Sequence, residues 1–515
     1  MKGRILAVAV SLTALLTSAA PASANGPAVL GAGSTWVQIA LDQWRADIAR
    51  QGFTINFQGV GSSAGRQFFV LRQVDFAASE IPFQPDELPA LQASNQSYQY
   101  VPDVAGGTSL MYNLHTPSGD RIRSLNLDAA TAAGIFTGTV TSWHAGAIQA
   151  LNPGLQIREN AIKPVIRSDG SGTSAQFSLY LQDQAPGLWS QFAAAGGCPA
   201  PCSLWPQFGN STQQRGSDGV AGFVANDQIG SGSIGYVEAG YAFGRYFPVA
   251  NLQNASGHFV QPTAGNVATA LTHARLHADL TQDLTQVYRA PEANSYPMSS
   301  YSYLITRTTG FDPAKGFVLG SWMIYIACGG QREAPLLGYS ALPPNLVGFV
   351  FDAVRRIPGA PTPPPLDRQH CPNPTIGTGA VGPTVSATSS YGAGTSASAS
   401  AAAAATAAPS AANAANAAST ASSSDPTAAL QAQAALGQTG GGNGVIPGML
   451  VTTLDNKQRK ASFALAEQLA NQAPSPSAAP LAVAAALLIL VAFVPVLFEF
   501  RRRRSAPEGK GGHDG

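Results

Sequence analysis

Between Pro27 and Glu80, short apolar runs alternate with helical stretches, and each run ends in a loop of small residues. Pro27–Leu30 reads as a short apolar strand, followed by the loop GAGST (31–35). Trp36–Arg50 then carries Trp36, Ala40, Trp44 and Ile48 on one helical stripe, and Gly52 stops it. Phe53, Ile55 and Phe57 alternate as a strand, GVGSSAG (59–65) follows, and QFFVLRQ (67–73) is helical. VDFAASE (74–80) is a further apolar strand that ends in small and acidic residues. Strand, helix, strand, helix in this order predicts an α/β fold with a largely parallel sheet. Such sheets bind ligands beyond the carboxyl ends of their strands. GAGST, GVGSS and AASE all fall there.

The two ends of the chain limit how much of it can join that sheet. Lys2 and Arg4 precede the apolar run Ile5–Leu16, and Ala22-Ser23-Ala24 offers a small-residue cleavage site. This is the pattern of a secretory signal peptide over residues 1–24. At the other end Ala478–Phe498 is an apolar run of 21 residues, with Arg501 to Arg504 close behind. At about 1.5 Å per residue the run spans a hydrocarbon core of about 30 Å. A transmembrane helix is therefore expected over 478–500, with the basic tail 501–515 in the cytoplasm and the preceding chain outside the cell. Residues 373–445 are dominated by Ala, Ser, Thr and Gly and read as a linker. Residues 446–477 form a juxtamembrane segment. What is left, roughly 350 residues, exceeds one comfortable core and predicts two lobes.

Only 11% of residues are charged and the net charge is +1, which gives no basic footprint for nucleic acid. The four cysteines, Cys198, Cys202, Cys328 and Cys371, suggest disulfides in an exported chain. Three connectivities are possible; the expected one joins Cys198 to Cys202 and Cys328 to Cys371. His273 and His277 lie four apart on an expected helix, but without the glutamate of a zinc-binding HExxH. No metal and no cofactor are expected.

A fourth polar island, RSDGSGTS (167–174), precedes the helical AQFSLYLQ (175–182). Ser171, Gly172 and Thr173 therefore fall at a helix N-terminus, where free N–H groups and the helix dipole favour an anion. Arg167 adds a planar fork that donates in pairs to oxyanions, and Asp169 stands where it can hold the arginine. No segment matches the nucleotide-binding P-loop GxxxxGK[ST]. One rival chemistry is present: Gly61-Ser62-Ser63-Ala64-Gly65 fits the G-x-S-x-G nucleophile elbow between a strand and a helix. Ser63 would then serve an exported esterase, with Asp218 and His258 able to complete the order Ser, acid, His.

The segments GAGSTW, FQGVGSSAG, VDFAASE, IFTGTVTSWHAGAIQALNPGL, IRSDGSGTS and SDGVAGFVANDQIGSGSIGYVEAGYA occur in this order. Over about Val29 to Asp352 the chain resembles the phosphate-binding proteins (PstS) of bacterial phosphate ABC transporters. The resemblance implies a two-lobed periplasmic-binding-protein (type II) fold with a hinge, and no enzymatic activity. One lobe would comprise 25–112 plus 297–372 and the other 113–296. It implies inorganic phosphate as ligand and an ABC permease in the membrane as partner. By motif, Thr35 and Trp36 match the donors of the first loop and Ser62 that of the second, with Gly33 and Ser63 as their neighbours. Arg167, Ser171, Gly172 and Thr173 match the donors of the second lobe, and Asp169 matches the brace of the arginine. Glu80 stands where the family has an aspartate that accepts the proton of hydrogen phosphate. A longer acid keeps the acceptor and repels sulfate, which has no proton to offer. Many relatives are lipoproteins, but no cysteine precedes Cys198, so the C-terminal helix and stalk would provide the tether. A surface anion sensor or envelope protein on the same fold is the alternative function.

Overall fold

The computed structural model describes residues 26–385. The signal peptide, the transmembrane run, the juxtamembrane segment, the basic tail and most of the linker lie outside those residues. Among the described residues no helix is long and apolar enough to cross a membrane.

The main sheet has nine strands. In chain order they are β1 (Val29–Gly33), β2 (Ile55–Gly59), β3 (Phe76–Ser79), β4 (Tyr98–Tyr112), β5 (Lys163–Arg167), β6 (Thr212–Gln214), β7 (Ser233–Glu238), β8 (Ser299–Arg307) and β9 (Tyr339–Ser340). The spatial order is β2-β1-β3-β8-β4-β7-β5-β6, with β9 also on β4. β1 is parallel to β2 and β3, and β5 is parallel to β6 and β7. Two parallel half-sheets are thus joined by the antiparallel pair β4 and β8. This is a two-lobed α/β periplasmic-binding-protein architecture.

β4 serves both lobes. Tyr98–Gly107 pairs with β8, and Thr108–Tyr112 pairs with β7. The change of partner falls at Gly106-Gly107. A Cβ on Gly106 would meet the Trp36 indole at 2.6 Å, and one on Gly107 would meet Pro262 at 2.6 Å and Tyr296 at 3.1 Å. The missing side chains let both aromatics close on the crossing point. Trp36 Nε1 donates to Thr108 Oγ1 (3.2 Å), and Tyr296 donates from its hydroxyl to the Thr108 carbonyl (2.8 Å).

Six helices matter here: α1 (Gln38–Ala49), α2 (Ser62–Val70), α3 (Gly172–Gln184), α4 (Gly216–Ala225), α5 (Pro313–Ala327) and α6 (Pro344–Arg355). α1 starts two residues later than its apolar stripe suggests, because the Ser34 hydroxyl takes the Trp36 N–H (2.9 Å) and holds that residue in a turn. Trp36 is nevertheless fully buried, with Ala40, Trp44 and Ile48 below it. The first strand also runs further than expected, so that Gly31, Ala32 and Gly33 belong to β1 rather than to a loop.

Both disulfides, Cys198–Cys202 and Cys328–Cys371, are present. The second ties the end of α5 to the last packed segment. The fold continues beyond that bridge. Asn373 Nδ2 donates to the carbonyls of Ala327 (3.0 Å) and Leu342 (3.1 Å). Thr384–Val385 then pairs in parallel with Arg275–Leu276. The small-residue composition therefore begins before the folded chain ends, because one amide side chain and a short strand suffice to fasten it. His273 and His277 are not on a helix, contrary to expectation. The helix there ends at Leu271, and His273 pairs with Glu292 at 2.8 Å.

Candidate functional site

The predicted loops meet where the two half-sheets face each other. From the first lobe come the turn after β1, the start of α2 and the end of β3. From the second come the end of β5 and the starts of α3 and α4.

Arg167 ends β5 and is 2% exposed. Its Nε donates to Asp169 Oδ1 (2.7 Å), and Nη2 donates to Asp169 Oδ2. Asp169 also takes the Gly216 N–H (2.9 Å), so one carboxylate braces both the guanidinium and the first turn of α4. Burial pulls the Arg167 pKa down, but the Asp169 carboxylate outweighs it and the net shift is upward. For Asp169 burial pushes up, and the guanidinium brings the net shift below the ordinary carboxylate range. The Arg167 main-chain N–H donates to the Tyr236 hydroxyl (3.2 Å), which also bonds Ser174 Oγ (2.8 Å).

Ser171 caps α3 by accepting the Ser174 N–H (3.1 Å). Its own N–H donates to the Ser203 carbonyl (2.9 Å), just beyond the Cys198–Cys202 bridge. That small disulfide loop thus buttresses the helix N-terminus. Thr173 Oγ1 is buried and finds no partner among the described residues.

The first-lobe groups reach directly across. Thr35 Oγ1 accepts the Ser217 N–H (2.9 Å) and lies 3.1 Å from Ser217 Oγ, which Arg167 Nη1 approaches at 3.4 Å. Ser62 Oγ accepts the Gly172 N–H (3.1 Å) and donates to Glu80 Oε2 (3.0 Å). Ser63 N–H donates to the Gly170 carbonyl (3.1 Å). Gly33, at φ 148°, leaves room for the backbone of Ala78, whose carbonyl takes the Ser34 N–H at 2.9 Å. The Trp36 N–H, expected to face the ligand, is instead the donor to Ser34 Oγ described above.

Glu80 is fully buried. Burial pushes its pKa up; the hydroxyls of Ser34 and Ser62 and the charge of Arg167 act against that push. Eight residues singled out from the sequence (Thr35, Ser62, Ser63, Glu80, Arg167, Asp169, Gly172 and Thr173) stand around this one cleft. Ser217, Gly216 and Tyr236 stand there too and escaped sequence reasoning. The signal for Gly216 and Ser217 was available: RGSDG (215–219) opens a helix and has the same make-up as the other loops.

The esterase arrangement does not form. Asp218 pairs with Arg245, His258 Nδ1 bonds Ser256 Oγ (3.1 Å), and Ser63 Oγ receives Arg66 Nη2 at 3.4 Å. Ser63 lines the seam between the lobes, and among the described residues no histidine or carboxylate bonds its hydroxyl.

A family model described as a PBP superfamily domain matches residues 18–323. The phosphate-binding protein PstS of Xylella fastidiosa is 33% identical over 320 residues, which is 62% of this chain and 82% of its relative. The chain belongs to the PstS family of the periplasmic-binding-protein superfamily. PstS 3 of Mycobacterium tuberculosis is 32% identical over 311 residues, 59% of this chain and 80% of the relative. Among solved structures, a high-affinity periplasmic phosphate-binding protein bound with phosphate shares the fold. Its TM-score is 0.50 at 18% identity, covering 63% of this chain and 93% of that one. Membership in a family of binding proteins sets aside catalysis by Ser63. Ser63→Ala is accordingly expected to leave oxyanion affinity within about threefold, less than 1 kcal/mol. No nitrophenyl-ester turnover should be measurable before or after the change.

Proposed function

We propose that this chain is a membrane-anchored extracellular receptor that closes its two lobes on inorganic phosphate and delivers it to an ABC permease. One observation carries the reading. A buried arginine, braced by Asp169, stands opposite the hydroxyls of Thr35 and Ser62 and beside the N-terminus of α3. A guanidinium fork, hydroxyl donors and a helix end form a donor set suited to a compact oxyanion. The relatives' own names agree with phosphate as that oxyanion.

In this reading Thr35, Ser62, Arg167, Ser171, Gly172 and Thr173 donate to the phosphate oxygens, and Trp36 donates once its turn relaxes. The lobes are 25–112 plus 297–372, and 113–296, with the hinge at the β4 and β8 crossings. Glu80 accepts the proton of hydrogen phosphate and discriminates against sulfate. The transmembrane segment 478–500, with its apolar run Ala478–Phe498, anchors the chain, and the stalk lets the receptor reach its permease.

Calorimetric titration of phosphate-stripped protein tests binding. The expected outcome is one site at micromolar affinity or tighter; no binding below about 1 mM, weaker than about −4 kcal/mol, rejects the reading. Titration with sulfate tests Glu80, since equal affinity for the two anions contradicts a proton-acceptor role. Phosphate uptake in cells lacking the protein tests delivery, and unchanged uptake would assign it to anion sensing instead.

A further inference from the structure

Two buried tyrosines grip neighbouring carbonyls of the turn that leaves β1. Tyr241 donates from its hydroxyl to the Thr35 carbonyl (2.5 Å), and Tyr339 donates to the Trp36 carbonyl (2.6 Å). Tyr241 lies on the short helix Ala239–Phe243, which follows β7 in the second half-sheet, whereas Tyr339 lies on β9. Tyr241 is held firmly from its own side. Glu238 Oε2 takes the Gly240 N–H (2.7 Å), and Arg245 Nη1 donates to the Tyr241 carbonyl (3.0 Å). The Tyr241 ring is buried, and burial pushes its pKa up, so the hydroxyl stays a donor. The second lobe grips Thr35 at its other end as well, through the Ser217 N–H on Oγ1 (2.9 Å).

A trans peptide is planar, so its carbonyl and its N–H point in opposite directions. The Thr35 carbonyl and the Trp36 N–H belong to one such plane. With the carbonyl turned to Tyr241, the N–H is turned to Ser34 Oγ (2.9 Å). The Ser34 hydroxyl in turn favours the ionised form of Glu80, which places this N–H on the cleft side of the turn. A donor on the carbonyl also polarises the peptide and makes its N–H a stronger donor. We propose that Tyr241 is a positioning residue for the anion site: its hydroxyl aims and polarises the Thr35–Trp36 peptide so that the Trp36 N–H is presented to the bound oxyanion. This deepens the phosphate reading and rests on it. Tyr339 makes the same kind of bond one peptide later, to a carbonyl whose plane carries the Val37 N–H, and so provides the internal comparison.

The test compares full-length, phosphate-stripped wild type with Tyr241→Phe and Tyr339→Phe, each of which removes one hydroxyl and keeps the ring. In calorimetry with inorganic phosphate, Tyr241→Phe should bind about five- to tenfold more weakly than wild type, the effect of one buried hydrogen bond, and Tyr339→Phe should stay within about twofold. The chain has six tryptophans, so ¹⁵N-tryptophan labelling isolates the Trp36 main-chain resonance, which Trp36→Phe assigns by deleting it. That resonance should move upfield in Tyr241→Phe before any phosphate is added, a change that a loss of stability alone does not produce. Wild-type affinity in Tyr241→Phe, equal losses in the two variants, or an unmoved Trp36 resonance overturns the inference. A moved Trp36 resonance with no phosphate binding by the wild type would sustain the positioning role and reject phosphate as the ligand.

Discussion

Arg167→Ala is expected to weaken phosphate binding by two to three orders of magnitude, about 3–4 kcal/mol, and to destabilise the free protein as well. Both effects follow from its environment. The guanidinium is 2% exposed, so its hydrogen bonds are made where water does not compete. Its removal leaves Asp169 with main-chain N–H donors, that of Gly216 among them, and no cation to balance it among the described residues, and an uncompensated buried charge costs about 3–5 kcal/mol. That charge would also repel the incoming anion. The double variant Arg167→Ala with Asp169→Ala separates the two effects. Thermal stability should return toward wild type because the stranded carboxylate is gone, whereas phosphate affinity should stay low. Recovery of affinity in the double variant would show that Arg167 acts only by neutralising Asp169.

Cys328→Ala should give the largest loss of stability of any single cysteine change. The Cys328–Cys371 bridge spans a sequence separation of 43, for which loop-closure entropy gives about 4 kcal/mol. For a folded part of this size that corresponds to roughly 5 °C in Tm. The residues around it add to the effect: Cys328 ends α5, Cys371 is fully buried, and Asn373 bonds the Ala327 carbonyl nearby. Cys198–Cys202, at a separation of 4, closes a short surface loop worth about 2 kcal/mol on the same scale. Differential scanning calorimetry of the two alanine variants should rank them in that order. A larger drop from Cys198→Ala would mean that support of the Ser171 cap, rather than chain entropy, dominates. It would then be accompanied by weaker phosphate binding.

The first lobe was legible because its signals are local. Apolar alternation in Ile55–Phe57, the stripe ending at Ile48 and the small residues after each strand act within a dozen positions, and they placed Thr35, Ser62 and Glu80 at one end of the sheet. RSDGSGTS was legible for the same reason, since a cap, an arginine and a helix lie within one short stretch. Ser217 was passed over although RGSDG has the make-up of the other loops, because the strand before it, Thr212–Gln214, is too short to show a period of two and so did not mark that loop as a strand end. β4 was hidden for the opposite reason. It is buried on both faces from Tyr100 onward, so no polar alternation marks it. Its role as the shared strand depends on Gly106-Gly107 meeting Trp36 and Tyr296, residues some 70 and 190 positions away. The Ser62–Gly172 contact likewise joins segments 110 positions apart in the chain.

The most direct test of the central claim is ³¹P NMR of phosphate-stripped protein at one equivalent of inorganic phosphate. A site built on Arg167, Ser62 and the α3 N-terminus predicts a second resonance, separate from free phosphate and saturating at one per chain. That resonance should vanish in Arg167→Ala. A single line at the free position, the same with wild type and variant, would contradict phosphate capture between the lobes.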